Sequence, residues 1–162
     1  RLSSFSFSVI KKILNFLLIM INETINKLKI IQENLKNLNN SSNTNIICVS
    51  KTFPLSKLEP LINFGHCHFG ENKVQEAEIK WSQIVKINKN LKIHMVGKLQ
   101  SNKAKKAINI FNFIHSLDNS KLADVCKKSE DELNKKISYF IQVNIGNESQ
   151  KSGVLMKDVK SF

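Results

Sequence analysis

The sequence predicts an α/β fold in which about five parallel strands alternate with helices. Short runs rich in β-branched and aromatic residues recur along the chain, and segments with apolar residues at steps of three and four separate them. A helix between two strands returns the chain to the same end of the sheet, so the strands pair in parallel. Two folds fit this alternation: an open doubly wound sheet, and a partial eight-stranded (TIM-type) barrel.

The elements follow in a regular order. Apolar residues at Ile25, Leu28, Leu35 and Leu38 predict a helix over residues 22–38. Further helices are predicted over residues 54–63, 73–86, 102–110 and 121–133. Strands are predicted over residues 46–49, 66–69, 91–96, 111–115 and 137–143. A closed eight-stranded barrel typically needs about 250 residues, so we expect the sequence to be truncated.

Residues 1–21 differ from the remainder. They contain no acidic side chain, and the nearly apolar run over residues 13–21 is shorter than the roughly 20 residues that a membrane span needs. We expect an extension here, either the end of a targeting peptide or sequence upstream of a natural start at Met20. Residues 22–162 are expected to form one incomplete α/β domain, and no other stretch is suited to cross a bilayer.

Composition narrows the class of function. The net charge of +12 raises the question of a nucleic-acid partner, but the only arginine is Arg1, and arginine is the better residue for phosphate and guanine. We therefore expect no specific nucleic-acid role, although a basic RNA-binding module stays a third hypothesis. An odd number of cysteines without a CxxC pair indicates a reducing compartment. No second ligand pair at zinc-like spacing accompanies residues 66–68 (HCH), so we expect no metal site.

Polar residues cluster where the predicted strands end. The clusters are Lys51, Glu71 with Asn72, residues 97–103, Ser116 with Asp118, and residues 144–153. In parallel α/β folds these carboxyl ends meet at one mouth, where ligands bind.

Lys51 is the most informative of these residues because it directly follows a buried apolar strand. We expect its amine to be partly desolvated, which favours the neutral form that attacks an aldehyde. The alternative is a solvated lysine on a basic surface. Two interpretations are also open for His94, which is either a hydrogen-bonded core histidine or a cofactor contact. Asn102, after Ser101, belongs either to a helix cap or to a set of backbone donors for an anion.

Five segments together resemble one family. They are CVSKTFP (48–54), FGENKVQEAEIKW (69–81), HMVGKLQSNK (94–103), HSLDNSKLA (115–123) and QVNIGNESQKSG (142–153). In this order they resemble the pyridoxal 5′-phosphate (PLP) homeostasis proteins, which are related to the amino-terminal barrel of alanine racemase.

The resemblance implies a barrel of the alanine racemase type with PLP as cofactor. Lys51 is then the Schiff-base lysine, Asn72 lies near the cofactor, and His94, Asn102 and Asn144 lie at the barrel mouth. It further implies a cytoplasmic, monomeric protein that buffers PLP and passes it to PLP-dependent apoenzymes, without catalytic residues or a metal. Import into an organelle is expected instead if residues 1–21 are a targeting peptide. A PLP-dependent amino-acid racemase is the alternative function.

Two departures from the family pattern matter. Lys98 stands where the family usually has His or Pro, and Ile93 and Met95 replace the aromatic pair around the family's histidine. The family's phosphate-binding loops lie in a final third that this sequence does not contain. We therefore expect the isolated chain to retain PLP weakly or not at all, which absorbance at the Schiff-base band would measure.

Overall fold

The computed structural model describes residues 22–38 and 44–162, together with Val9. The extension predicted over residues 1–21 therefore lies outside the described residues, apart from Val9. The described residues fall into two compact units. The first takes in residues up to Ile46 together with Pro54–His66, and the second contains Ile47–Phe53 and Cys67–Phe162.

Two helices make up the described core of the first unit. Helix α1, Glu23–Lys36, begins where the Asn22 side chain accepts the backbone N–H groups of Thr24 and Ile25, at 3.0 and 3.2 Å. Helix α2, Leu55–Phe64, ends at Gly65, whose φ of 100° suits a residue without Cβ. Both predicted helices are confirmed to within two residues.

The second unit contains a five-stranded parallel sheet. Its strands are β1, Cys48–Val49; β2, His68–Glu71; β3, Lys92–Met95; β4, Phe113–Leu117; and β5, Ser138–Ile141. Their order in the sheet is the order in the chain, and every pairing is parallel. A doubly wound sheet reverses its strand order at a switch point, whereas a barrel adds each strand beside its predecessor. The partial barrel is therefore confirmed, and the doubly wound alternative is wrong.

Helices connect these strands. They are α3, Val74–Trp81; α4, Ile84–Ile87; a 3₁₀ turn, Ser101–Lys103; α5, Ala104–Ile110; and α6, Ser120–Leu133. The single helix predicted over residues 73–86 is thus two helices. A second parallel ladder, which the sequence did not predict, pairs β6, Val143–Asn144, with β7, Val154–Leu155, and a 3₁₀ turn over Met156–Asp158 follows.

Two strands end later than predicted, which changes the placement of polar residues. Strand β2 runs through Glu71, and β4 runs through Leu117 and includes Ser116. Glu71 and Ser116 were expected in loops at the mouth, but both are buried within the sheet. Phe111 caps α5, so β4 starts two residues later than its apolar run suggested.

The two faces of the sheet carry different side chains. The buried aromatic and aliphatic residues Phe69, Ile93 and Ile114 share one face, where the Phe69 ring lies 5.0 Å from the Trp81 ring of α3. The opposite face carries His94 against Phe113, stacked at 4.4 Å between ring centroids. The helix-side face therefore forms the hydrophobic core of this unit, and the other face is partly polar.

Replacing Ile108 by Ala tests this core. Ile108 of α5 is completely buried, so the substitution should lower the free energy of unfolding by about 2–5 kcal/mol. The matched control is Ile79→Ala in α3, because Ile79 is 85% exposed and its loss should cost within about 0.5 kcal/mol. Urea denaturation measures both; equal effects would contradict this assignment of the core.

Candidate functional site

The register of β1 and β2 brings the loops that carry Lys51 and Asn72 to the same edge of the sheet. Val49 pairs with Gly70, and the Ser50 N–H extends the ladder by donating to the Gly70 carbonyl at 2.8 Å. The next residues on the two parallel strands are at matched positions along the sheet. Lys51 and Asn72 therefore follow the ends of two adjacent strands, at the carboxyl edge of the sheet.

A tight turn presents Lys51 directly after β1. The Phe53 N–H donates to the Ser50 carbonyl at 3.2 Å and closes a four-residue turn with Lys51 and Thr52 at its centre. Thr52 has a φ of 67°, in the left-handed region that costs a residue with Cβ roughly 1–2 kcal/mol. Lys51 is exposed in this turn. The expected partial desolvation of its amine is therefore wrong. The expected burial of the strand before it is wrong too, because Cys48 is half-buried and Val49 is 48% exposed.

The second and third loops are held together by their backbones. The Val96 N–H donates to the Glu71 carbonyl at 2.9 Å. A methyl group built at Gly97 would lie 2.3 Å from the Asn72 carbonyl oxygen. The backbones of the two loops therefore touch at a point where only glycine fits. The close contact fixes the half-buried Asn72 relative to the loop after β3.

A buried polar network lies beneath these strand ends. The Glu71 Oε1 atom accepts hydrogen bonds from Ser50 Oγ at 2.7 Å, Lys80 Nζ at 2.8 Å and Trp81 Nε1 at 3.0 Å. Sequence reasoning placed Glu71 at the mouth and missed Ser50 and Lys80. The available signal was the alternation along HFGE, which puts Glu71 on the same face as Phe69.

Two cavities lie next to the predicted site residues and share Lys98. One, of about 310 Å³, is lined by Asn72 together with Lys73, Lys98 and Lys103 among others. The second, of about 460 Å³, is lined by Asn144, Lys98 and Lys151 among others. Both volumes are in the range of small-ligand sites. Their lysines suit a negatively charged ligand.

Asn144 and Asn102 have different surroundings. The buried Asn144 side chain donates to the Glu148 carbonyl at 2.9 Å and accepts the Glu148 N–H at 3.3 Å, so it organises the loop between β6 and β7. Asn102 is exposed within the 3₁₀ turn that follows Gln100. Gln100, rather than Ser101 or Asn102, occupies the N-cap position of this turn, and its side chain forms no capping hydrogen bond.

His94 is the centre of a row of three imidazoles on adjacent strands. Its Nε2 lies 2.9 Å from His68 Nδ1, and its Nδ1 lies 2.9 Å from His115 Nε2. Burial, followed by the neighbouring His115 and His68, lowers the pKa of His94 to about 4. Burial also lowers the pKa values of His68 and His115. Because both ring nitrogens of His94 are engaged, the structure matches the core-histidine alternative for this residue.

Over residues 22–38 and 44–162, no three His, Cys, Asp or Glu side chains are grouped to hold a metal ion. Within the same ranges, no helix is both long and apolar enough to span a bilayer.

Comparison with known proteins identifies the family. The model of the alanine racemase N-terminal domain matches residues 27–162. This chain belongs to that family. The resemblance predicted from the five segments is confirmed by the relatives that it matches.

Several known proteins are similar to this chain. The pyridoxal phosphate homeostasis protein of Pasteurella multocida is 36% identical over 109 residues, which are 67% of this chain and 47% of that protein. PipY of Synechococcus elongatus without PLP gives a TM-score of 0.69 at 34% identity, covering 81% of this chain and 61% of PipY. PipY with PLP bound gives 0.66 at 33% identity over the same shares. The chain spans about half the length of the curated relatives it matches.

The three imidazoles predict a pH-dependent stability. Histidines with a depressed pKa in the folded state bind fewer protons than in the unfolded state once the pH falls below about 6.5. The free energy of unfolding should therefore be greatest above that pH and fall as the pH drops toward 4, the pKa of His94. Urea titrations at about pH 7 and pH 5.5 avoid most carboxylate titration. His94→Phe should show a smaller fall, and an equal fall would contradict the assignment.

Gly97→Ala tests the contact between the second and third loops. The added methyl group would meet Asn72 backbone, which cannot rotate away, so the substitution should cost about 1–3 kcal/mol of stability. Gly146→Ala is the control, because its methyl group would meet the flexible end of the Glu148 side chain at 3.0 Å. Chemical denaturation would compare the two; equal costs would show that the loops do not touch as described.

Proposed function

We propose that this chain binds PLP through a Schiff base on Lys51 and contributes to PLP homeostasis. The observation that supports the proposal is that Lys51 and Asn72 follow adjacent parallel strands at the carboxyl edge of the sheet. Ligand sites of parallel α/β folds gather at this edge. The exposed turn leaves the Lys51 amine accessible to an aldehyde from solution.

The residues present fit the chemistry of PLP. Lys51 supplies a primary amine, which forms a C=N bond to an aldehyde carbon with loss of one water. Asn72 adds an amide that can donate and accept hydrogen bonds. Lys98 and Lys103 offer ammonium groups in the cavity that Asn72 lines. Their positive charge would suit the negatively charged phosphate group of PLP. When bound, PLP would supply an electrophilic aldehyde and an electron-withdrawing ring.

The relatives support a binding protein rather than an enzyme. PipY, at 33% identity, has been solved with PLP bound, and the curated relatives are named as homeostasis proteins. We propose the same role for this chain: a cytoplasmic monomer that holds PLP and passes it to apoenzymes without turnover of its own. Asn102 and Asn144 are proposed to support the site from the barrel mouth, with Asn144 acting through its loop. His94, whose two ring nitrogens both contact other histidines, is not assigned to the cofactor.

Reductive trapping tests the attachment to Lys51. The chain is incubated with PLP, reduced with borohydride and mapped by peptide mass spectrometry, so that even weakly held PLP is recorded. We expect the label on Lys51 and its loss in Lys51→Ala. Lys128→Ala, an exposed lysine of α6, is the control and should keep the label on Lys51. Labelling spread evenly over exposed lysines would refute the proposal.

A racemisation assay separates the binder from the racemase alternative. L-alanine incubated with the PLP-loaded protein should lose chirality no faster than with free PLP, since the proposal assigns the chain no acid or base for the second face of the substrate. Chiral chromatography provides the measurement. Turnover that disappears in Lys51→Ala would establish the racemase instead.

A further inference from the structure

We infer that the buried Lys80–Glu71 ion pair positions Lys51 by holding its strained turn closed. The inference rests on the proposed function, since it concerns the presentation of Lys51 to an aldehyde. Lys80 and Glu71 are thus positioning residues that act through Ser50, the residue before Lys51.

Ser50 is the point where the turn and the network meet. Its carbonyl oxygen accepts two hydrogen bonds, from the Phe53 N–H at 3.2 Å and from Lys80 Nζ at 2.8 Å. The first bond closes the turn around Lys51. The second is charge-assisted and comes from a side chain that is only 11% exposed. The orientation of the Ser50 peptide is therefore fixed from the buried side.

Glu71 holds both partners in place. Its side chain is completely buried and binds Lys80 and the Ser50 hydroxyl through one oxygen, Oε1. Ser50 also donates its N–H to Gly70, so its backbone is fixed on the strand side as well. In the low dielectric of the interior these contacts hold their geometry more firmly than a surface pair would.

The turn needs such support because of Thr52. A β-branched residue at a φ of 67° is disfavoured, and the chain would relax to a negative φ if the Ser50 peptide were free to rotate. Relaxation would change the direction in which Lys51 leaves the strand end beside Asn72. The general alternative is that the ion pair only stabilises the fold, with no specific effect on Lys51.

The test uses the initial rate of PLP labelling of Lys51 under borohydride. Glu71→Gln with Lys80→Met removes both charges together, so no unpaired charge stays buried. We expect the labelling rate to fall on the order of tenfold, because the strained Thr52 would relax and turn Lys51 away from its present direction. Adding Thr52→Gly should restore most of the rate, because glycine adopts a positive φ without strain. If the ion pair only stabilised the fold, Thr52→Gly would not restore the labelling rate, because this substitution replaces neither of the lost charges.

Glu130→Gln is the matched control for lost stability. Glu130 is a buried carboxylate on α6 that accepts the Ile137 N–H at 2.9 Å. Its loss should lower the melting temperature without slowing the labelling of Lys51. If the rate follows the melting temperature in all variants, or Thr52→Gly gives no rescue, the inference is overturned. Absence of Lys51 labelling in the unmodified chain would instead overturn the proposed function.

Amide exchange gives a second measurement that needs no variant to fold. The Phe53 N–H should be protected from hydrogen exchange in the unmodified chain, although it lies in an exposed turn. Exchange at the rate of an unstructured peptide would show an open turn. That result would overturn the inference while leaving the attachment to Lys51 intact.

Discussion

The carboxylate of Glu71 is the constraint on which the candidate site depends. It lies at the end of β2, completely buried, and its Oε1 accepts hydrogen bonds from Ser50, which directly follows β1, and from two residues of α3. Its Oε2 has no hydrogen-bond partner among the described residues. A buried charge is tolerated only with close compensation, so the β1 edge, β2 and α3 must keep fixed positions relative to one another. The loops that carry Lys51 and Asn72 start from this fixed base.

Much of the fold could be predicted because hydrophobic periodicity reports it directly. The helices at residues 23–36 and 120–133 have clear apolar faces and polar caps, and they lie within two residues of their predicted bounds. Strand ends were harder, because apolar runs such as FNFIHSL continue across a helix cap and a strand. The choice between a barrel and a doubly wound sheet depends on strand order, which the local pattern does not encode.

The site could be predicted only in part. Lys51 and Asn72 were proposed as site residues because they follow strands within motifs that resemble those of a known family, and parallel pairing brings their loops to the same edge of the sheet. Lys80 was not proposed, because it lies in a helix among many other lysines. Only the tertiary structure shows that its side chain pairs with Glu71. Asn144 was expected at the mouth, but its side chain binds its own loop instead. These contacts depend on the ladder between β6 and β7, which is too short to show a pattern in the sequence.

The row of histidines has a consequence for proton placement. A neutral imidazole has one donor and one acceptor, so two successive N···N contacts of 2.9 Å require His68, His94 and His115 to choose their tautomers jointly. The hydrogen bonds then all run from β2 toward β4, or all run the opposite way. Passing a proton from each ring to the next, with one proton taken up at one end of the row and one released at the other, would reverse both hydrogen bonds. The three rings therefore have two joint tautomeric states, which differ in direction across the strands.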